Sequence, residues 1–377
     1  MNIVSLFANI GVAEAYLDEI GFNVVLANEI VERRAKLYSR IYPKTEMVFG
    51  DLLDKNVFKT LVSKGKKLKI DIVMATPPCQ GMSTVGQQKS DDKRNNLIIP
   101  TIKFIKELKP LYVFIENVPQ FLKTYIKVGS KNILITDFIK KELGKEYEIE
   151  INLADTKDFS VPQTRERAIV LMSRNPSRKK WSMPHKQNKI YTLKDAIGHL
   201  PSIDPYIKDV TEKELLNIFP NFFEKKDAAL KISKWNNPPH HVKRQVITMM
   251  HTPTGKSAFT NKYFKPRKED GTSIKGFPNT YKRQNWDSPA YAVTMDNVKI
   301  SSQDNVHPGR PKESQAEKNL IYSDARVLTL FELMKVMSLP DNWPIPLDTS
   351  EAFIRRIIGE GIPPLFVKSI FSELKRK

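Results

Sequence analysis

The sequence predicts an α/β fold: a mainly parallel sheet flanked by helices, joined to a smaller, irregular, mostly β region. Three observations predict it. Over residues 1–173, short β-branched runs alternate with stretches of helical spacing, the pattern of parallel strands joined by crossover helices. Glycine, proline and acidic residues follow the ends of these runs, where an open α/β sheet carries its ligands. From residue 174 the alternation dissolves and basic charge accumulates.

Taken in order, residues 3–7 read as a first strand and 10–20 have helical spacing. A second strand over 22–27 precedes a helix over 31–41, and 47–49 is a short third strand. The fourth, 70–75, is stopped by Pro77-Pro78. A helix over 97–108 ends at Lys109-Pro110, and the very apolar 111–115 is the fifth strand. Residues 132–143, 147–153 and 168–172 continue the pattern. Helical spacing returns at 329–337, breaks at Trp343-Pro344, and resumes over 352–358 and 364–374. The expected domains are 1–175 with 319–377, and 176–318.

The 377 residues are 40% hydrophobic and 27% charged, ordinary globular composition rather than disorder. No apolar run approaches the ~20 residues that cross a bilayer. The first residues lack a basic leader, so a cytoplasmic protein is expected. Lys and Arg number 61 against 42 Asp and Glu, a net +19, which points to a polyanionic partner. Residues 174–318 hold 27 of the basic and 14 of the acidic residues. Within 231–283, Trp235, His240, His241, His251, Tyr263, Phe264, Phe277 and Tyr281 are interleaved with 12 basic residues. Such a segment suits phosphates and bases, although charge alone favours a soluble basic face. The single cysteine, Cys79, excludes an internal disulfide and a multi-thiolate zinc site. His240-His241 lacks spaced partners, and no metal is expected.

The first strand runs into Phe7-Ala8-Asn9-Ile10-Gly11, where a glycine allows close backbone approach to a ligand. There is no G-x-G-x-x-G, and Met250 spoils a phosphate loop at Gly255-Lys256-Ser257. Glu29 after the second strand is placed for ribose hydroxyls, and Asp51 after the third for an exocyclic amine. Either alone reads as a helix cap; in register they point to a nucleoside-bearing cofactor. Cys79 follows two stiffening prolines and precedes a polar stretch, 81–96, suited to closing over a substrate, an arrangement for covalent catalysis. Glu116 ends an apolar strand, so desolvation should raise its pKa and make it a donor or general acid. Gln163, Arg165 and Arg167 fall at period two, with both guanidiniums expected in one cleft for phosphate or a carbonyl oxygen.

Together, Pro77-Pro78-Cys79-Gln80, Glu116-Asn117-Val118 and the Gln-x-Arg-x-Arg of 163–167 resemble the cytosine-5 DNA methyltransferase family. Arg283-x-x-Trp286-Asp287-x-Pro289, His307-Pro308, and Arg326-Val327-Leu328-Thr329 with Glu332 extend the resemblance across most of the chain. It implies a Rossmann-like methyltransferase fold with a target-recognition domain, and S-adenosyl-L-methionine as cofactor, leaving S-adenosyl-L-homocysteine. Phe7, Gly11, Glu29, Asp51, Leu52, Pro78, Leu97, Gly361 and Ile362 would line its pocket. Cys79 would attack cytosine carbon 6, with Glu116, Arg165 and Arg167 catalytic beside it. Gln80, Ser83, Gln163, Lys243, Arg244, Lys256, Arg267, Lys282 and Arg283 would contact double-stranded DNA, on bases or phosphates. A monomer in the prokaryotic nucleoid, with a cognate restriction endonuclease encoded nearby, completes the expectation. Departures stand at Asn9 and Val12, where the family usually has glycine, and at Glu360, where it usually has asparagine. They leave an inactive DNA-binding homologue as one alternative, and a transfer-RNA cytosine-5 methyltransferase as another.

Overall fold

The computed structural model describes residues 1–78, 96–175, 179–312 and 320–375. Strand β1 (Asn2–Leu6) lies inside a seven-stranded sheet, its Ile3 and Val4 committed to cores on opposite faces, as period-two side chains must be. Strands β2 (Asn23–Glu29), β3 (Glu46–Phe49), β4 (Ile72–Ala75) and β5 (Tyr112–Asn117) join it in the parallel order β3-β2-β1-β4-β5. A small hairpin, β6 (Tyr125–Val128) and β7 (Lys131–Leu134), stands apart. Antiparallel β8 (Tyr147–Asp155) and β9 (Glu166–Arg174) complete the sheet, with β9 against β5.

Helices α1 (Glu32–Ile41), α2 (Lys55–Lys67), α3 (Ile98–Leu108) and α4 (Ile135–Leu143) accompany these strands. Val4, Leu6, Val73, Val113 and Ile115 pack beneath Leu61, Phe104, Ile105 and Ile139 of α2, α3 and α4. Every residue of β5 is buried, which explains its unbroken apolar reading. Helix α2 escaped the sequence reading because lysines blur its apolar stripe. It is started by the Asp54 side chain, which accepts from the Asn56 and Val57 N–H groups.

Residues 10–20 depart from expectation. They form two 3₁₀ turns, Val12–Glu14 and Asp18–Ile20, bounded by the left-handed Gly11 and Gly21. The intervening stretch is too short to repay helix nucleation.

Beyond residue 175 come α5 (Leu193–Ile197), α6 (Glu212–Ile218), α7 (Phe222–Ile232) and α8 (Lys243–Met250), two-residue strand pairs and isolated bridges. Phe219, Phe222, Val246, Met249, Tyr281 and Val306 give this region its own core. Leu193, Ile197, Ala290 and Val293 instead pack with Ile10 and Val12 and with α9 (Leu330–Val336) and α10 (Glu351–Glu360). Helix α11 (Pro364–Ser372) closes the second face of the sheet: Phe366, Ile370 and Phe371 join Trp181 over Ile72, Phe114 and Leu171. Trp181 Nε1 donates to the Ile370 carbonyl at 2.9 Å. Among the described residues, no helix is long and apolar enough to cross a membrane.

Candidate active site

The turn after β1 is held in an unusual backbone conformation. Phe7, Asn9 and Gly11 all have positive φ, near 60°, 54° and 80°. At Gly11 a Cβ would lie 2.1 Å from the Tyr42 ring, so both conformation and space require glycine. Such alternation curls the chain and directs backbone groups toward one concavity. Glu29, at the end of β2, is buried and fixes this turn: its Oε2 accepts from the Asn9 N–H at 2.9 Å, and Oε1 from the Val31 N–H at 2.8 Å. The Asn9 Oδ1 is buried without a partner among the described residues. Asp51 lies beyond β3, accepting from the Leu53 N–H at 2.9 Å, and Leu52 beside it is buried. Asn28 Nδ2 ties the Val48 and Gly50 carbonyls, so the ends of β2 and β3 are set together. An orphaned acceptor, a curled turn and a carboxylate at the second strand end fit a cationic, ribose-bearing cofactor.

From the C-terminal side, Gly361 packs so closely on Val12 that a Cβ would lie 2.9 Å from Val12 Cγ1. Ile362 is buried behind it, Pro78 is half-buried, and Leu97 precedes α3. Hence Gly11, Glu29, Gly361 and Ile362 converge on the first-strand turn.

The same turn is wired to the thiol loop. The Thr76 N–H donates to the Leu6 carbonyl at 3.3 Å and its Oγ1 to the Phe7 carbonyl at 3.2 Å. One residue on, the Pro77 carbonyl accepts from Asn117 Nδ2 at 3.0 Å, while Asn117 Oδ1 accepts from the Val118 N–H at 2.9 Å. The chain leading to Cys79 is thereby pinned between the turn and the end of β5. Cys79 itself, with Gln80 and Ser83, lies outside the described residues. Asn117 was quoted in its motif without a role; only a fold that places Pro77 beside it supplies one.

Glu116, beside Asn117, is 9% exposed, and its Oε1 pairs with Arg167 Nε at 2.7 Å. Burial pushes its pKa up, with Arg167 and Arg165 pulling partly back. The register opposite is set by β5 and β9, where Glu116 faces Ile169 and Asn117 faces Ala168.

The expected trio of 163–167 splits. Arg165 is buried, and it donates to the Val293 carbonyl at 2.8 Å and the Gly359 carbonyl at 2.9 Å. It clamps distant segments to the sheet, while its charge acts on Glu116 together with that of Arg167. Gln163, expected on DNA, is wholly buried; its Oε1 accepts from the Val293 N–H and its Nε2 reaches the Val336 carbonyl. Period-two spacing gave these side chains one face, but that face is covered by residue 293 and α9.

Arg283 is a second correction. It has no exposed surface and spends its guanidinium on the carbonyls of Met249, His307, Ser323 and Asp324, so it cannot reach DNA. Lys282 is tied to Asp304 at 3.2 Å and to the Tyr291 hydroxyl at 2.7 Å. Lys243, Arg244, Lys256 and Arg267 remain exposed. Arg283 belongs to a buried cluster built from the later motifs. Arg326 donates to Asp324 at 2.8 Å and to Glu332 at 2.7 Å, and its Nε to the Ile203 carbonyl. Burial depresses the His307 pKa to about 4, keeping it neutral to accept from the Gly309 N–H.

Residues 1–376 match the model of the C-5 cytosine-specific DNA methylase family. The chain is 41% identical over 376 residues to Type II methyltransferase M1.HgaI of Avibacterium volantium, covering 98% of this chain and 97% of that protein. Among solved structures, a putative DNA modification methyltransferase encoded within an Escherichia coli prophage superposes with a TM-score of 0.64 at 19% identity, covering 100% and 98% of the two chains. The Entamoeba histolytica methyltransferase EhMeth gives 0.61 at 17%, covering 100% and 99%. Both share the fold.

Proposed function

The chain belongs to the C-5 cytosine-specific DNA methylase family, an S-adenosylmethionine-dependent DNA methyltransferase, and from that premise we propose that Cys79 is its nucleophile and Glu116 its acid. The observation that carries this reading is the bond from Asn117 to the Pro77 carbonyl, two residues before the thiol and one after Glu116. It holds Pro77 at the end of β5.

When bound, S-adenosylmethionine supplies an electrophilic methyl group. Cytosine carbon 5 is a weak nucleophile until the Cys79 thiolate adds to carbon 6. Addition breaks the 5,6 double bond and moves its electron pair to carbon 5. Glu116, whose pKa is raised by burial, holds the proton at ring nitrogen 3 and limits negative charge during addition. Arg167 orients Glu116 through their ion pair and binds the base carbonyl oxygen or an adjacent phosphate. After methylation, water takes the carbon 5 proton, the C–H pair restores the 5,6 double bond, and the carbon 6–sulfur bond breaks to release the Cys79 thiolate.

Phe7, Gly11, Glu29, Asp51, Leu52, Pro78, Leu97, Gly361 and Ile362 form the cofactor pocket. Residues 176–318 form the target-recognition domain, with Lys243, Arg244, Lys256 and Arg267 on the duplex. Extruding the base costs a few kcal/mol, which these phosphate contacts offset, and binding weakens with salt. The relative's Type II designation supports a place beside a restriction endonuclease.

Cys79→Ser should abolish radiolabelled methyl transfer while leaving duplex binding within about twofold, a change of under 0.5 kcal/mol. Retained transfer would remove Cys79 from the mechanism. Competition of the labelled reaction by duplex DNA rather than transfer RNA should identify the substrate.

A further inference from the structure

We propose that Arg34 is a positioning residue for the methyl donor, acting through an ion-pair clasp with Glu360 that latches the 359–362 turn onto the turn after β1. The proposal rests on the reading of that turn as the cofactor pocket.

Glu360 is the last residue of α10, where a carboxylate opposes the helix dipole. Arg34, from α1, answers it with both arms of its guanidinium: Nη1 lies 2.8 Å from Oε2, and Nη2 donates to Oε1 at 3.0 Å. A fork-on-fork pair fixes direction as well as distance. The two side chains retain only 21% and 19% of their exposure, so solvent screens them less than a surface pair. Asn9 Nδ2 reaches the same Oε2 at 3.5 Å, and the Asn9 N–H is held by Glu29. One continuous chain of contacts therefore runs from α1 through the end of α10 to the first-strand turn and β2.

The flanking residues leave this turn little freedom. Arg165 holds the Gly359 carbonyl, and a Cβ at Gly359 would lie 2.3 Å from the Thr294 carbonyl oxygen. Gly361 abuts Val12. Of the three departures from the family pattern, Asn9 and Glu360 thus meet each other, and Val12 abuts Gly361 next to Glu360. The Asn9 side chain gives Glu360 a contact that glycine at residue 9 could not.

The test uses the full chain, without DNA, and calorimetric titration with S-adenosylmethionine. Arg34→Met and Glu360→Gln should each weaken binding about fivefold to tenfold, the loss expected for a partly buried pair. The cofactor KM should rise in step, with kcat at saturating cofactor and duplex binding retained. The exchange Arg34→Glu with Glu360→Arg should bind better than either half alone. Wild-type affinity in Arg34→Met, an exchange variant no better than its parts, or affinity lost only in proportion to melting temperature would each overturn the clasp. Glu29→Ala, run in parallel, separates the readings. If it binds normally, the pocket and the clasp both fall; if it weakens binding while Arg34→Met does not, only the clasp falls.

Discussion

Two arginine–carboxylate pairs in this protein share a distance and differ in everything around it. Arg326 and Glu332 meet at 2.7 Å with side chains 0% and 1% exposed, and Arg167 and Glu116 meet at 2.7 Å with 13% and 11%. The first pair is saturated. Arg326 also binds Asp324 and the Ile203 and Val327 carbonyls, Glu332 takes the Thr329 N–H, and Asp324 takes the Ile203 N–H. The second pair stands at strand ends, one residue from the Asn117 that holds the Pro77 carbonyl, with burial raising the Glu116 pKa against Arg167 and Arg165. A saturated cluster holds Ile203 to α9 and has no capacity for a substrate. A carboxyl at a strand end, its pKa raised by burial, can exchange its partner for one.

The comparison breaks most severely at Arg326. Arg326→Ala leaves Asp324 and Glu332 buried and unpaired, and urea denaturation should register a loss of about 3–5 kcal/mol. Glu116→Gln should do the opposite, lowering methyl transfer by about 10²–10⁴ while the denaturation midpoint holds or rises. A Glu116 variant that unfolds easily and still reacts would place it in the structural class. Arg165 lies between the two: Arg165→Met should cost about 2–4 kcal/mol by orphaning two buried carbonyls. A slower reaction at unchanged stability would instead return it to the substrate.

The smallest effect concerns Glu14, buried against the Tyr38 hydroxyl, where desolvation raises its pKa from 4.5 to about 7. A raised carboxyl keeps its proton in the folded state after the unfolded chain has lost it. Its contribution is therefore complete below pH 4.5, declines as pH rises, and is gone above about 7, a fall of at most about 3 kcal/mol. Glu14→Gln should flatten that part of the pH–stability curve; an unchanged slope would assign it to other groups.

Much of the fold was legible because strands and helices write their periods locally. Strands β1 to β5 fall within a few residues of the apolar runs, and the breaks at Pro77 and Pro110 lie where expected. Residues 10–20 misled because helical spacing says nothing of the left-handed Gly11 and Gly21 that bound them. At the candidate site, Glu29 and Glu116 were legible because each closes an apolar strand, and strand ends are where an α/β sheet carries its ligands. Gln163 and Arg283 were placed on DNA because a sequence displays polar side chains and hides burial.

By itself the sequence determined the alternation that makes a parallel sheet, the positions of carboxylates and thiol at its strand ends, and the family to which these residues belong. Local periodicity and chemical identity are properties of the chain, independent of what later packs against it. Tertiary structure alone decided which arginines are tools and which are rivets. That depends on which carbonyls and carboxylates distant segments bring within 3 Å, as Val293 and Gly359 come to Arg165, and Met249 and Ser323 to Arg283.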